Sequence, residues 1–391
     1  MRIGIDATCW ANPRGYGRFT RELVPAMASL APDDTFICFV DERAAAAFDL
    51  KRSNVEMRVV QLAQSPTIAA AANGNRSVTD MLRLTRAVGR ERLDVFFSPS
   101  VYTYFPLPLG LRTVVTVHDA IADRFPELTL PSWRARAFWR VKVLLALSQA
   151  HLVLTVSDFA ARDIARVLRV SPGRIRVALE APAVTYTQPA ANGDAARLAA
   201  QLGLPADGRC FVYVGGLNPH KNVDLLVGAH ATLAREMGGN APHLAFVGPT
   251  ETDVFHADHA QLRDIIEAEG TGSLVHWLGF LPDEQLRLVH ANSLGLVLPS
   301  TCEGFGLPAV EAAACGRPVI ATTESPLPEL LAGGGIFIEP RNLDALTDAL
   351  RRLTNDHDAR DAMGRRAREQ AMALTWERGA RAALDALAEV A

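Results

Sequence analysis

The 391-residue chain has few cysteines, almost no lysine and no long apolar run. Its five cysteines are widely spaced and odd in number, which favours reduced thiols over a disulfide framework or a zinc site. The most apolar run, residues 143–156, contains Ser148, Gln149 and His151 and is too short and too polar to cross a bilayer. The N-terminal residues predict a first strand rather than a signal peptide. We therefore expect a cytoplasmic protein.

Charge is unevenly distributed along the chain. Residues 1–180 carry 24 Lys+Arg and 17 Asp+Glu, whereas residues 181–391 carry 16 and 26. The basic first half could contact an anionic membrane surface or a phosphate-bearing acceptor, and an uneven surface charge without any partner is an equal alternative. Nucleic acid is not an expected partner, because no binding motif and no dense basic stripe occurs.

The order of predicted elements indicates the fold class. With 49% hydrophobic and 21% charged residues, the chain is typical of soluble globular proteins. Strand-like apolar runs alternate with helical patterns, pause at the Ala- and Pro-rich segment Glu180–Gly193, and then resume. This predicts an α/β fold with two doubly wound domains, residues 1–182 and 183–374, facing each other across a cleft. Ligands of such sheets bind beyond the carboxyl ends of the strands.

The strongest functional signal follows the predicted strand Leu294–Pro299. The next eight residues, STCEGFGL, lead into a helix predicted to begin at Pro308 and to end near Gly316. Small residues there expose backbone N–H groups at a helix N-terminus, which suits an anion such as a diphosphate. Glu303 lies at the strand end, and Glu311, in the predicted first helical turn, could accept hydrogen bonds from a ribose diol. Alternatively, the glycines only form a turn and Glu311 only complements the helix dipole.

Two other predicted strands end in candidate site residues. Lys221, within the sequence GGLNPHKN after the strand Phe211–Val214, is one of three lysines against 37 arginines. An ammonium group can neutralise a diphosphate, although most lysines are simply surface residues. His118 follows the strand Thr113–Val117 and could hydrogen-bond a sugar hydroxyl, although a structural role is the commoner one for a lone histidine.

Three weaker features have structural alternatives. Gly15 and Gly17 precede the first helix and would let the backbone approach a ligand. The segment Leu278–Pro282 precedes a helix for which Asp283 is the predicted N-cap. The basic, aromatic helix Ser132–Gln149 could lie on a membrane surface, but we favour packing of its apolar stripe in the domain core.

Two further segments bear on metal binding and access. Asp356 and Asp358 have the Asp-x-Asp spacing of metal-dependent transferases, but their position at a helix start favours capping. The segment Gln64–Asn75, which contains four consecutive alanines, predicts a mobile loop.

Residues 300–321 carry a recognisable signature. A glutamate, seven residues, a second glutamate, a small-residue helix and then Gly-x-Pro-Val occur here as Glu303, Glu311 and the sequence GRPV at 316–319. This stretch, continued by PLPE at 326–329, resembles the signature of the family-4 retaining glycosyltransferases of GT-B fold. Further landmarks of that family follow in the right order over nearly the whole chain.

The resemblance implies a GT-B fold of two Rossmann-like domains, with the last helix, about residues 375–391, packing back on the first. It implies a metal-independent, cofactor-free hexosyltransferase that uses a nucleotide-sugar donor and retains anomeric configuration. The catalytic positions it implies are His118 and Glu303. The donor-binding positions it implies are Gly15, Gly17, Gly216, Lys221, Leu281, Gly304, Phe305, Gly306, Leu307 and Glu311. Many members have an arginine where Gly216 stands, which implies either a less cationic diphosphate clamp here or another arginine that reaches the site.

The resemblance also suggests substrates. It favours mannose from GDP-mannose, transferred to a glycan or lipid-linked acceptor in polysaccharide biosynthesis, ahead of UDP-glucose or UDP-N-acetylglucosamine. Two other classes stay open: a GT-B epimerase or hydrolase, and a non-catalytic nucleotide-sugar-binding partner. Peripheral contact of the basic first domain with the inner membrane surface is a further expectation.

Overall fold

The computed structural model describes residues 1–66, 77–130, 132–189, 193–248 and 259–391. Backbone contacts divide the chain into two compact units. Unit 1 comprises Met1–Glu180 and Thr375–Ala391, and unit 2 comprises Ala181–Leu374. Most of the predicted loop Gln64–Asn75 lies outside the described residues.

Unit 1 is built on a parallel sheet. Its strands are β1 (Arg2–Asp6), β2 (Thr35–Val40), β3 (Val55–Val59), β4 (Val95–Ser98), β5 (Thr113–Thr116), β6 (Leu152–Thr155) and β7 (Ile175–Val177). The described helices are α1 (Gly15–Leu30), α2 (Glu42–Ala47), α3 (Val78–Gly89), α4 (Ile121–Arg124), α5 (Pro126–Thr129), α6 (Trp133–Gln149), α7 (Asp158–Val167) and the C-terminal α17 (Trp376–Val390). The strand order is β3-β2-β1-β4-β5-β6-β7, with every pair parallel.

Unit 2 repeats this plan. Its strands are β8 (Cys210–Val214), β9 (His243–Val247), β10 (Val275–Gly279), β11 (Gly295–Leu298), β12 (Val319–Thr322) and β13 (Gly335–Ile338). The described helices are α8 (Val184–Thr187), α9 (Asp194–Gln201), α10 (Val223–Met237), α11 (His259–Ala268), α12 (Asp283–Ala291), α13 (Leu307–Ala314), α14 (Leu327–Leu330), α15 (Leu343–Asn355) and α16 (His357–Met372). The parallel strand order is β10-β9-β8-β11-β12-β13.

The predicted α/β class with two doubly wound sheets is confirmed. The central strands are fully buried because helices cover both faces of a parallel sheet, as their continuous apolar sequences indicate. The sequence patterns did not reveal β7 and β13. Both are edge strands whose residues are mostly only partly buried, so they lack the fully buried apolar run that marks the central strands.

Helix α17 completes unit 1 by packing on α1. The Trp376 ring lies 6.2 Å from that of Phe19, and Glu389 accepts a hydrogen bond from Arg176 Nε at 3.0 Å. At Gly379 the helix lies close to the backbone of Leu179, since an added Cβ would lie 2.4 Å from the Leu179 carbonyl oxygen.

Helix α6 packs an apolar stripe in the core, as predicted, because Trp139, Val143 and Ala146 belong to the buried cluster of unit 1. Several further large apolar side chains of the helix are exposed, which the prediction did not anticipate. Its ends lie close to the predicted bounds, but the apolar residues extend around most of its circumference, so they cannot all face the sheet. Across the described part of the chain, the helices are too short or too polar for one to span a bilayer.

Replacing Gly379 with alanine should destabilise the protein. Alanine ordinarily stabilises a helix relative to glycine by up to about 1 kcal/mol. At Gly379 the new methyl group would overlap the Leu179 carbonyl, so we expect a net loss of about 1–3 kcal/mol in the free energy of unfolding, measured by urea denaturation. Gly228→Ala in α10 is the matched control, because its methyl group would meet only Leu343 Cδ1 at 3.6 Å. Equal effects of the two substitutions would contradict the close contact.

Candidate active site

The candidate site of unit 2 lies where the strand order reverses. Strands β8 and β11 pair directly, with Phe211 opposite Gly295 and Val212 opposite Leu296. Chain connections run in opposite directions from these two strands, which leaves a crevice beyond their carboxyl ends. The loop after β8 carries Lys221, and the loop after β11 carries Glu303.

These two predicted residues form an ion pair. Lys221 Nζ lies 2.7 Å from Glu303 Oε1, and the same oxygen accepts a hydrogen bond from Ser300 Oγ at 2.5 Å. The side chains are only 20% and 12% exposed, so water screens this pair less than a pair on the open surface. The sheet topology therefore brings together two oppositely charged groups that are 82 residues apart in the sequence.

Asn222 fixes the position of Lys221. Its φ of +48° lies in the left-handed region, which asparagine tolerates better than most residues. The buried Asn222 side chain donates hydrogen bonds to Pro299 O at 2.9 Å and to Thr301 Oγ1 at 3.1 Å. The Thr301 N–H in turn donates to His220 O at 2.7 Å. These contacts join the loops after β8 and β11.

Backbone contacts also hold the Glu303 loop against β12. The Glu303 N–H donates to Glu324 O at 3.1 Å, and Thr322 Oγ1 donates to Ser300 O at 2.8 Å. The carboxylate is therefore supported from both sides of β11.

Helix α13 begins one residue earlier than predicted. Gly306 has a φ of +86°, and a Cβ at this position would lie 2.9 Å from Leu327 Cδ1, so the backbone itself requires glycine here. Because the helix starts at Leu307, Glu311 lies just beyond the first turn, and the expectation that it lies within that turn is wrong. Glu311 is buried, as are the predicted loop residues Phe305 and Leu307.

The other predicted donor-side positions have defined surroundings. The carbonyl oxygen of Gly216 accepts a hydrogen bond from the Tyr213 hydroxyl at 2.5 Å. Leu281 is buried, whereas the neighbouring Phe280 is 69% exposed and is the accessible aromatic side chain of this segment. Asp283 is the first residue of α12 rather than its N-cap, and its carboxylate accepts a hydrogen bond from the Tyr186 hydroxyl at 2.9 Å.

In unit 1, His118 follows β5 as predicted and is oriented through one ring nitrogen. Its Nε2 donates to Pro99 O at 2.9 Å, whereas its Nδ1 lies 3.6 Å from Glu180 Oε1, beyond hydrogen-bonding distance. The Phe19 ring meets the imidazole edge-on at 4.8 Å. Spacing along the chain does not indicate that the buried Glu180 lies near His118, because the two residues are far apart in the sequence.

The two glycines at the start of α1 differ in their surroundings. A Cβ at Gly17 would lie 2.1 Å from Asn12 O, so the packing of the chain on itself already requires glycine there. The space around Gly15 is open, as the predicted close approach of a ligand needs. Asp119 caps the following helix, since its Oδ1 accepts a hydrogen bond from the Ile121 N–H at 2.9 Å.

The remaining sequence predictions concern thiols and metals. The five cysteines are free, and burial raises the pKa of Cys9, Cys38, Cys210 and Cys315 to about 12, so these thiols are protonated at neutral pH. The predicted capping role of Asp356 is confirmed, because it accepts a hydrogen bond from the Ala359 N–H at 2.9 Å. Within the described ranges, no three His, Cys, Asp or Glu side chains cluster as metal ligands.

Two family models match most of the chain. Residues 13–178 match the model described as Glycosyltransferase Family 4, and residues 194–370 match that described as Glycosyl transferases group 1. The first match lies within unit 1 and contains Gly15, Gly17 and His118. The second lies within unit 2 and contains Lys221, Glu303 and Glu311.

Two curated relatives are named as a mannosyltransferase and a glycosyltransferase. The chain is 28% identical to O-antigen chain mannosyltransferase B of Escherichia coli over 372 residues, which cover 93% of both chains. It is 29% identical to a D-inositol 3-phosphate glycosyltransferase of Nocardioides sp. over 289 residues, which cover 72% of this chain but only 61% of that enzyme.

Solved structures share the fold. A sucrose-phosphate synthase from Thermosynechococcus elongatus superposes with a TM-score of 0.76 at 20% identity, covering 98% of this chain and 97% of that one. The Anabaena protein HepE in complex with UDP and glucose superposes with a TM-score of 0.74 at 18% identity, covering 99% of each chain.

Removing the Asn222 side chain should loosen the loop that carries Lys221. Asn222→Gly keeps the left-handed backbone accessible but deletes both hydrogen bonds, so we expect a loss of about 1–3 kcal/mol in the free energy of unfolding. Asn222→Ala adds the strain of a Cβ in that conformation, about 1 kcal/mol more. Urea denaturation of the two variants and the wild type measures both the loss from the deleted hydrogen bonds and the added backbone strain. If Asn222→Ala were as stable as the wild type, the proposed clamp would be wrong.

Proposed function

This chain belongs to the group 1, family 4 glycosyltransferases of GT-B fold, and we propose that it transfers mannose from GDP-mannose to a hydroxyl of a glycan or lipid-linked acceptor. The Lys221–Glu303 pair at the strand-order reversal of unit 2 is the observation that carries the proposal. The choice of mannose follows the similarity, over 93% of both chains, to a relative named as a mannosyltransferase.

The diphosphate would bind between Lys221 and the N-terminus of α13. A helix N-terminus presents backbone N–H groups and a positive potential, and the ammonium adds a full charge beside it. On donor binding, Lys221 would exchange its contact with Glu303 for the phosphate oxygens. Because a cation and backbone donors would then stabilise the leaving diphosphate, we propose that transfer needs no divalent metal and no other cofactor.

Glu303 would then bind the transferred sugar. Ser300 continues to orient its carboxylate after Lys221 has changed partners, so Glu303 can accept hydrogen bonds from sugar hydroxyls. Glu311 would bind the ribose, and the segment containing Phe280 and Leu281 would contact the base. In unit 1, Pro99 O orients His118 through Nε2, which would leave Nδ1 to hydrogen-bond a sugar hydroxyl, and the open side of Gly15 would admit the acceptor.

A thermal-shift screen tests the choice of donor. We expect GDP and GDP-mannose to raise the melting temperature more than UDP, ADP or their sugars, with no change when EDTA is added. A larger shift with UDP-glucose would replace mannose as the proposed sugar, and loss of the shift in EDTA would contradict metal independence.

Removing either charged residue of the pair should abolish most transfer. Lys221→Ala and Glu303→Ala should each lower kcat at least about a hundredfold, because Lys221 would stabilise the charge on the leaving diphosphate and Glu303 would hold the sugar in position for transfer. Release of GDP from GDP-mannose, measured with and without acceptor, gives the rate, and the melting temperature should stay close to that of the wild type. Exposed Lys51→Ala and Glu267→Ala are the matched controls and should leave the rate unchanged.

The same assay separates the rival functions. Complete donor hydrolysis without acceptor would favour a hydrolase, and epimerisation of the sugar would favour an epimerase. Full transfer by either variant would overturn the assignment of the pair. Donor binding without turnover across a panel of acceptors would favour a non-catalytic role.

A further inference from the structure

Helix α6 presents an unusual outer surface. Its five large exposed apolar side chains are between 46% and 73% exposed: Trp133, Phe138, Val141, Leu144 and Leu145. Successive residues of an α-helix advance by about 100°, so these five fall within an arc of about 140°. Single exposed apolar residues are common, but a continuous patch of this kind usually marks an interaction surface.

The same helix is positively charged and contains no acidic residue. Its 17 residues include Arg134, Arg136, Arg140 and Lys142, and the three arginines are exposed. Arg136 and Arg140 flank one edge of the apolar arc, and Arg134 lies within the arc, with its guanidinium 5.5 Å from the Trp133 ring. Residues 1–180, to which the helix belongs, carry an excess of basic over acidic residues.

The inner side of α6 fixes this orientation. Trp139, Val143 and Ala146 are buried, and Trp139 Nε1 donates a hydrogen bond to Asp123 at 2.9 Å. Lys142 points inward, donates to Tyr102 O at 3.2 Å and lies 4.8 Å from the centre of the Trp139 ring. The apolar arc cannot turn inward without breaking these contacts.

We infer that the outer face of α6, formed by Trp133, Arg134, Phe138, Val141, Leu144 and Leu145, docks on an anionic phospholipid bilayer. Aromatic and aliphatic side chains would enter the headgroup region while the arginines contact lipid phosphates, as in helices that lie in the membrane interface. Charge complementarity selects an anionic bilayer, because this face combines apolar groups with exposed cations and carries no carboxylate that would repel the lipid.

The inner side of α6, opposite the docking face, contacts the predicted acceptor loop through Tyr102. Tyr102, which contacts Trp139 of α6 at 5.0 Å between ring centres, stacks at 5.3 Å on Tyr16, between Gly15 and Gly17. A docked α6 would therefore hold this loop near the lipid surface, where a lipid-linked acceptor resides. This use of the surface rests on the proposed function, whereas the docking itself does not.

Vesicle co-sedimentation of the full-length protein tests the inference. We expect binding to vesicles of equal parts phosphatidylcholine and phosphatidylglycerol, weaker binding at high salt, and little binding to phosphatidylcholine alone. Val141→Asp with Leu144→Asp should abolish binding. Arg134→Gln with Arg136→Gln should weaken it about thirtyfold, from the contribution that each basic residue makes near an anionic surface.

Two matched double variants in the same unit serve as controls. Val78→Asp with Leu82→Asp changes two exposed apolar residues of α3, and Arg43→Gln with Arg86→Gln removes two exposed arginines. Both should bind as the wild type does. The melting temperature and transfer to a water-soluble acceptor should be unchanged in the α6 variants, so a failed docking prediction is distinguishable from a failed function.

Fluorescence locates the contact. Trp133 is the most exposed of the five tryptophans, so brominated lipid in anionic vesicles should quench the wild type strongly and Trp133→Phe weakly. Vesicle binding that survives Val141→Asp with Leu144→Asp, or equal quenching of Trp133→Phe, would overturn the inference. A different result would also overturn it: a wild-type protein that does not bind vesicles but forms a dimer in light scattering, with the dimer lost in the α6 variants. The face would then cover a second copy of the chain.

Discussion

The candidate donor site depends on the direct pairing of β8 with β11. Because chain connections depart in opposite directions from these two neighbouring strands, the loops that follow them meet at the point where ligands of such sheets bind, and Lys221 reaches Glu303 there. An ammonium and a carboxylate at 2.7 Å hold each other in place before any ligand arrives. In the proposed function each binds a different part of a nucleotide-sugar, the cation the phosphate and the carboxylate the hydroxyl groups.

Neighbouring contacts support this pair rather than add further charge to it. Asn222 joins the two loops, Ser300 orients the carboxylate, and Thr322 and Glu324 join the Glu303 loop to β12. Gly306 allows the turn that directs α13 toward the crevice. Since catalysis by charge stabilisation works best when the charged groups are already oriented, the rigidity of these loops matters as much as the identity of Lys221 and Glu303.

The sequence predicted the elements well where their pattern was long or strongly apolar. The central strands and helices such as α6 and α12 were recognisable, whereas the edge strands β7 and β13, which are mostly only partly buried, were not. A prediction failed where one residue of register decided the outcome, since Glu311 lies beyond the first turn of α13 because the helix starts at Leu307. The apolar stripe of α6 packs in the core as predicted, but the sequence did not indicate the further apolar residues that this helix exposes. Lys221 and Glu303 were identifiable from their positions after strands, but the roles of Asn222 and Glu180 depend on contacts between distant segments, which spacing does not reveal.

The central claim is that Lys221 binds the donor diphosphate, and comparison of GDP with GMP tests it most directly. Calorimetry should show that the wild type binds GDP about 10–100-fold more tightly than GMP, since one charge-assisted contact contributes about 1.5–3 kcal/mol. In Lys221→Met, which keeps a side chain of similar length without the charge, the account predicts that this preference falls to a few-fold while GMP affinity is unchanged. A preference for GDP that survives in Lys221→Met would contradict the account.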